Sequence, residues 1–423
     1  MYKIQLKTGK EDWAVAEKRR WTVRDLRRDN QAGLLWALFS SQPCSRQDLS
    51  DATGLSVASV SNVIRDLISD GIVTEAGSVD SDGGRPRVLL RMDPGYGHLV
   101  GIDVGETRVR VELFDLTMAV RAKADYPLDP SEHGVDVVVD RISAGLANVL
   151  GAADVDPADV IGGGVAVPGM VEQGSTAHGG EVLVYGQTYG WDAVPLERLL
   201  RPAARFPLYI DNGAKTMGQA ELWFGAGRGV RQAVVCLIGS GLGASLISGE
   251  SRSREDSSVC LEWGHTTINM GGRPCRCGSH GCLEAYVGAE AILDRYGLPL
   301  PGEDEESALA ALADSADARA AEVLAETAAT LGAGIANLIN LFGPERVILG
   351  GWAGLLLGER LLPAIREAAR QHSLTHRFAQ TSIELGRLGP DAVALGAATL
   401  PMMHFLNGTL ALRTRTPDDR VAG

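Results

Sequence analysis

The sequence predicts an α/β body of two lobes, preceded by a small helical domain that ends in a β-hairpin. Three observations lead there. Residues 30–71 hold three short helical patterns with polar residues at their starts, and two apolar strand patterns follow by residue 91. Two glycine-rich turns, Asp103–Thr107 and Gly239–Gly243, lie between apolar strands about 135 residues apart, as two similar lobes facing a cleft require. After the second turn, one short stretch gathers three cysteines, His265 and a glutamate at each end, Glu262 and Glu284.

Length and composition bound the rest. A chain of 423 residues exceeds one ordinary core, so two or more domains are expected, and a hydrophobic content of 45% is that of a globular protein. The net charge of -13 is unevenly placed: residues 1–95 carry 14 Lys/Arg against 13 Asp/Glu, and the remainder 26 against 40. Such an acidic body argues against diffuse nucleic-acid binding and confines any DNA contact to a patch of the first domain. Six cysteines, three of them in one loop, suggest a reducing compartment. Met1–Lys7 opens no signal peptide and no apolar run approaches a membrane span, so the expected location is the cytoplasm, with no membrane partner.

Residues 1–21 read as a polar tail. From Asn30, taken as an N-cap, the apolar positions Leu34, Leu35, Trp36, Leu38 and Phe39 have helical spacing. Ser45 caps a second helix that Gly54 ends. Ser56 caps a third with Val60, Val63, Ile64, Leu67 and Ile68 on one stripe, and Gly71 stops it. Two helices joined by a tight glycine-containing turn, the second presenting short polar residues near its start, have the organisation of a helix-turn-helix. Ser59, Ser61, Asn62 and Arg65 lie off the apolar stripe, where they can approach base edges and phosphates; an ordinary bundle with a polar face has the same pattern. Ile72–Glu75, a loop Ser81–Arg87 and Val88–Arg91 then read as strand, loop and strand, which makes the unit a winged helix. Arg85 and Arg87 at the loop tip suit phosphates or a minor groove, though a soluble hairpin loop would look alike.

In the Glu262–Glu284 stretch, Cys275, Cys277 and Cys282 with His265 supply three thiolates and an imidazole, the donor set that closes a tetrahedral structural zinc site and leaves no position open for catalysis. A disulfide or a chance cluster of buried thiols is the plainer alternative, although Cys275 and Cys277 are too close to bridge comfortably. Glu-x-Gly-His followed by Cys-x-Cys-Gly-x-x-Gly-Cys-x-Glu resembles the signature of the ROK family, which groups sugar kinases with sugar-responsive transcriptional repressors. The resemblance implies zinc on the histidine and three cysteines, and sugar hydroxyls held by Glu262, His265 and Glu284, with His265 serving both. Carboxylates suit that task because they accept hydrogen bonds from hydroxyls and so reject ligands lacking them.

The rest of the body fits the same resemblance. Asp103-Val104-Gly105-Glu106-Thr107 resembles the first phosphate loop of the actin/hexokinase-like fold, and Gly239-Ser240-Gly241-Leu242-Gly243 the second. Gly164–Gly169 is similar to the family's strand-to-turn segment beside the sugar, Gly190–Leu196 to its cleft-edge turn, and Arg346–Gly351 to the strand near a kinase's adenosine. Residues 306–342 read as helical and Ala392–Leu406 as the last helix. The implied fold class is a two-lobed actin/hexokinase-like body (the ROK fold) behind an all-α, winged helix-turn-helix domain. The expected divisions are a tail at 1–21, the winged domain at 22–95, a small lobe at 96–215, a large lobe with the zinc loop at 216–390, a terminal helix at 391–407 and a tail at 408–423.

One departure bears on function. The family's sugar kinases carry Glu-Asn-Asp-Ala-Asn where this chain has Asp211-Asn212-Gly213-Ala214-Lys215, so the Asp that would serve as general base is replaced by Gly213. Loss of a general base typically costs roughly two to four orders of magnitude. Lys215 adds a cation, suited to an anionic ligand or to pairing with Glu221, the latter being the expectation. The winged domain belongs, by the resemblance, to the repressors and not to the kinases. The reading is a non-catalytic, sugar-responsive regulator, expected to repress, that binds near-palindromic operator DNA as a homodimer or homotetramer. Asn212, Glu262, His265, Glu284 and Gly169 would hold its ligand. An active sugar kinase with an accessory domain and a DNA-binding protein with a vestigial body are the alternatives.

Overall fold

The computed structural model describes residues 23–81, 84–129, 132–174, 180–249, 258–302 and 304–410. The expected tail at 1–21, residues 411–423 of the other tail and the side chain of Arg85 lie outside the described residues.

Helix α1 (Val23–Ser41) starts earlier than expected, so Asn30 is inside the helix and not its cap. Strand β1 (Cys44–Ser45) and helices α2 (Arg46–Thr53) and α3 (Val57–Ser69) follow. Ser45 caps α2 in a reciprocal box with Asp48, Gly54 ends it in the left-handed conformation, and Ser56 caps α3. Strands β2 (Val73–Ser81) and β3 (Gly84–Met92) run longer than the sequence suggested, and Arg87 pairs with Val79 inside the ladder. Arg85 and Arg87 therefore sit on a strand and not on the loop, because the cross-strand ladder takes up β3 from Gly84. The sheet order is β1-β3-β2.

The first lobe comprises β4 (His98–Val104), β5 (Arg108–Asp115), β6 (Val120–Pro127), α4 (Val135–Ala152), β7 (Val160–Val167), β8 (Met170–Glu172), β9 (Leu183–Gly186), β10 (Trp191–Val194), α5 (Leu196–Leu200) and β11 (Leu208–Asn212). Its main sheet has the order β11-β7-β4-β5-β6, with β4 to β6 antiparallel and β7 and β11 parallel to β4. Helix α6 (Gly213–Phe224) leads to the second lobe: β12 (Gln232–Ile238), β13 (Leu242–Ser248), β14 (Ser258–Leu261), α7 (Glu284–Val287), α8 (Ala289–Tyr296), α9 (Glu305–Asp314), α10 (Ala318–Phe342), β15 (Arg346–Gly350), α11 (Trp352–His372), α12 (Thr375–Phe378) and β16 (Ser382–Leu385). Its sheet order, β14-β13-β12-β15-β16, repeats the first when read from the other end. In both lobes a tight glycine turn joins the first two strands, so repeated topology places both turns at the same cleft.

The last helix, α13 (Ala392–Leu406), returns across the molecule to pack on α6, β4 and β7. Each lobe has its own apolar core. A third core joins Val60, Ile64 and Leu67 of α3 and Leu34 and Leu38 of α1 to Met402, Phe405 and Leu406 of α13. The amino-terminal domain is thus packed onto the body. Among the described residues, no helix is long and apolar enough to cross a membrane.

Candidate ligand cleft and metal centre

A cleft of about 940 Å³ lies between the lobes, lined from both glycine turns, the Gly169 turn, the start of α6 and the Glu262–Glu284 stretch. It brings together all five residues expected to touch a ligand: Gly169, Asn212, Glu262, His265 and Glu284. They are not equally available. Glu262 lines the cleft and is exposed, and its carboxylate makes no hydrogen bond or ion pair among the described residues. Asn212 caps α6, its side-chain oxygen accepting from Ala214 N and Lys215 N at 2.8 and 3.1 Å, while its Nδ2 donates to Gly169 O at 2.7 Å. One amide hydrogen is left for a ligand. Gly213, the first residue of the helix, lines the cleft; Asp211 does not.

The Lys215 expectation is corrected. Its Nζ donates to Asp211 Oδ2 at 2.6 Å, one helical turn back, and not to Glu221. The Glu221 carboxylate is buried and accepts from Ala226 N, Arg387 N and Leu388 N. Burial pushes its pKa up while these backbone donors pull against the shift.

His265, Cys275, Cys277 and Cys282 form the metal centre expected from their spacing, with their ligand atoms within 4.8 Å of one another. Cys277 Sγ lies 3.7 Å from Cys282 Sγ, and Cys275 Sγ lies 3.7 Å from His265 Nδ1. A tetrahedral ion with metal–sulfur bonds of about 2.3 Å spaces its sulfurs at roughly 3.8 Å, so these two separations are those of donors that could hold a metal ion. His265 also lines the cleft, which puts the metal loop in contact with any ligand there.

Beside the metal centre the cleft wall holds residues the sequence reading passed over, Cys275 Sγ lying 3.9 Å from Glu284 Oε1. Arg276, between two metal ligands, donates from Nε to Glu284 Oε1 at 2.9 Å and from Nη1 and Nη2 to both oxygens of Glu106 in the first glycine turn. Glu284 Oε2 accepts from Leu242 N at 2.9 Å, so each oxygen of that buried carboxylate already has a partner. Burial opposes the charge on Arg276, but Glu106 and Glu284 outweigh it and raise the guanidinium above its ordinary value. A Cβ on Gly241 would lie 2.4 Å from Arg276 Nη2 and 3.0 Å from Glu106 Oε1 and Glu284 Oε2, so the ion trio lies directly against the second glycine turn. Arg108 pairs with Glu306, Thr107 Oγ1 donates to Glu306 Oε1 at 3.2 Å, and Ser240 Oγ donates to Glu305 Oε2. Desolvation pushes the carboxyls of Glu305 and Asp103 up to about 7. Both turns that would cradle phosphate are therefore tied by carboxylates. The signals were the Arg inside Cys-x-Cys and the Glu inside Asp-x-Gly-x-Thr, but their partnership spans 170 residues of chain.

On α3, Asn62 and Arg65 are exposed and joined by a hydrogen bond from Arg65 Nη2 to Asn62 Oδ1. Ser59 and Ser61 are half-buried, Ser59 sharing a hydrogen bond with the capping Ser56, and Arg87 is exposed on β3.

With this geometry in hand, the comparisons can be read. The model of the ROK family matches residues 99–403. A xylose repressor of Caldicellulosiruptor bescii is 31% identical over 399 residues, covering 90% of this chain and 97% of its own. The crystal structure of a ROK family transcriptional regulator, a homologue of the E. coli MLC protein, superposes with a TM-score of 0.72 at 26% identity, covering 91% of this chain and 98% of that one. A ROK family glucokinase from Streptomyces griseus, solved with glucose and AMPPNP, has a TM-score of 0.60 at 25% identity and covers 99% of itself but 72% of this chain.

Proposed function

This chain is a member of the ROK family, and we propose that it is a sugar-responsive transcriptional repressor that reads operator DNA with its amino-terminal domain and senses a sugar or sugar derivative in its cleft. The observation that carries the reading is that one chain joins a winged helix-turn-helix to a cleft in which Glu262 stands open while both glycine turns are tied by paired carboxylates. The regulator structure matches through that domain, whereas the kinase matches a much smaller share of the chain. Gly213 offers no proton acceptor where the kinases have their base, and Asp211 is engaged by Lys215. At the glycine turns Arg276 and Arg108, cations that a transferred phosphate could use, are already paired to Glu106, Glu284 and Glu306.

Glu262, His265, Asn212 and the Gly169 turn would grip ligand hydroxyls, with Glu284 supporting the wall behind them. Zinc suits the three thiolates and one imidazole; held by His265 Nδ1, Cys275, Cys277 and Cys282, it would supply rigidity and no catalysis. Asn62, Arg65, Ser59 and Ser61 on α3 would face the major groove, and Arg85 and Arg87 on β3 a phosphate or minor groove. A homodimer or homotetramer would match a near-palindromic operator by its own twofold symmetry. Ligand binding alters operator affinity only insofar as it favours one lobe arrangement over another.

The test is a gel shift with DNA selected by the full chain from a random-sequence pool, repeated with D-xylose and a panel of other sugars. Specific binding that one sugar shifts is the expected result. No specific DNA under any condition, or ATP-dependent phosphorylation of a sugar by the pure protein, would overturn the reading.

A further inference from the structure

Two helices begin at the cleft and end in the amino-terminal domain. Helix α6 starts with Asn212, Gly213 and Ala214 on the cleft wall and ends, 12 residues on, at Trp223 and Phe224. There Trp223 meets Trp36 and Phe39 of α1 edge-on, with ring centroids 5.1 and 5.6 Å apart, and Phe224 meets Phe39 at 6.1 Å. Helix α13 starts beside Pro390 and Val393, also on the cleft wall, and ends in the buried Phe405 and Leu406. Just beyond it Trp36 Nε1 donates to Asn407 Oδ1 at 2.8 Å and Arg28 Nη2 to Gly408 O at 2.9 Å. At 1.5 Å per residue the two helices span about 18 and 22 Å.

Each helix is pressed against a different lobe's sheet. A Cβ on Gly164 of β7 would lie 1.8 Å from Ala397 O, so the first-lobe sheet presses on the backbone of α13. Helix α6 is fitted as tightly to the second sheet, where a Cβ on Gly218 would lie 2.1 Å from Ser245 Oγ. The helices are also locked to each other, a Cβ on Gly396 lying 2.0 Å from Thr216 O, so a shift of either at the cleft is carried along its length to the far end. The amino-terminal domain rests on both far ends, and an ion pair from Arg27 to Asp66 at 2.6 Å ties α1 to α3.

From this arrangement we infer that Trp223, with Phe224, is the coupling residue of the regulator: it converts the state of the cleft at Asn212 into the position of α1 and, through it, of α3. The inference rests on the sensing reading above for what fills the cleft, but not for the mechanical link. Trp223 touches neither ligand nor DNA and acts by positioning α1.

A double-mutant cycle on the full-length protein separates the two. With the selected DNA fragment as probe, Asn212→Ala should change affinity in the wild-type background by about two- to thirtyfold. The change should vanish with Trp223→Leu and return with Trp223→Phe, which keeps an aromatic edge against Trp36. Melting curves establish that each variant is folded. Equal effects of Asn212→Ala in both backgrounds, or no effect in either, would overturn the link. In the ligand arm, D-xylose heat measured by calorimetry should persist in Trp223→Leu while its influence on DNA affinity shrinks; an undiminished influence would overturn the inference. A wild-type protein giving no heat with any sugar of the panel would sink the sensing reading instead, and the cycle alone would then decide the coupling.

Discussion

Along the cleft Glu262 stands open beside the metal loop, while Glu106, Glu284, Glu305 and Glu306 are bound to Arg276, Arg108 and Ser240. The side chains are of one chemical type; their surroundings give them different work. A carboxylate with unfilled acceptor capacity can discriminate among hydroxylated ligands. One held between a guanidinium and a backbone N–H instead fixes the distance between two loops. The comparison teaches that a glycine turn of the form Asp-x-Gly-x-Thr is not by that alone an open one, since the Glu inside it is held by Arg276 from a distant segment.

Substitutions in the open and the paired carboxylates should separate ligand grip from inter-lobe support. The largest effect is expected where the two share a part: Cys277→Ser should empty the centre of zinc, loosening both His265 and the loop that carries Arg276. Metal analysis that still finds a full complement in that variant would refute the site. Next, Glu262→Ala should weaken sugar binding on the order of 10- to 100-fold, the worth of a hydrogen bond to a charged group, and leave unfolding by urea unchanged. Calorimetry and urea curves together check it, and a fall in stability without loss of sugar heat would mean the open carboxylate is structural. Arg276→Ala should do the reverse. It leaves Glu106 and Glu284 facing each other without a cation, which should cost about 1–3 kcal/mol in the same urea curves, since the pair is only partly buried.

The smallest effect concerns pH. Desolvation, with Glu106 and Glu290 adding to it, pushes the Glu305 carboxyl from 4.5 to about 7, against Ser240 and Arg276. The folded state thus holds a proton that the unfolded state has released between these values, and stability falls as pH rises through that window. Glu305→Gln should remove this dependence: the variant and the wild type differ little near pH 4 and the variant melts a few degrees higher at pH 8. Parallel melting-temperature profiles for the two proteins would show that Glu305 is not desolvated as the fold implies.

Much of this was legible locally. The caps Ser45 and Ser56, the stripe of Val60, Ile64 and Leu67, and the end of α2 at Gly54 depend on neighbours within a turn or two, and short-range hydrogen bonding fixes them. The start of α1 and the length of the hairpin were not legible. Arg27 pairing with Asp66 of α3 and Arg28 donating to Gly408 O hold the helix before Asn30, and the ladder to β2 takes Gly84–Arg87 into a strand. Lys215 was paired wrongly for the same kind of reason. Glu221 is held by backbone donors from Ala226, Arg387 and Leu388, the last two more than 160 residues away, and no local pattern announces them.

By itself the sequence determined the kinds of groups present: four metal donors at workable spacing, carboxylates and a glycine on the cleft wall, and a capped helix with a polar face. Each depends on residue identity and short separations, which survive any arrangement of the lobes. Only the tertiary structure decided which carboxylates stay open and which are consumed by Arg276, and that α6 and α13 join the cleft to the amino-terminal domain. Those are contacts between distant segments, and whether a charge is available depends on what the fold sets beside it.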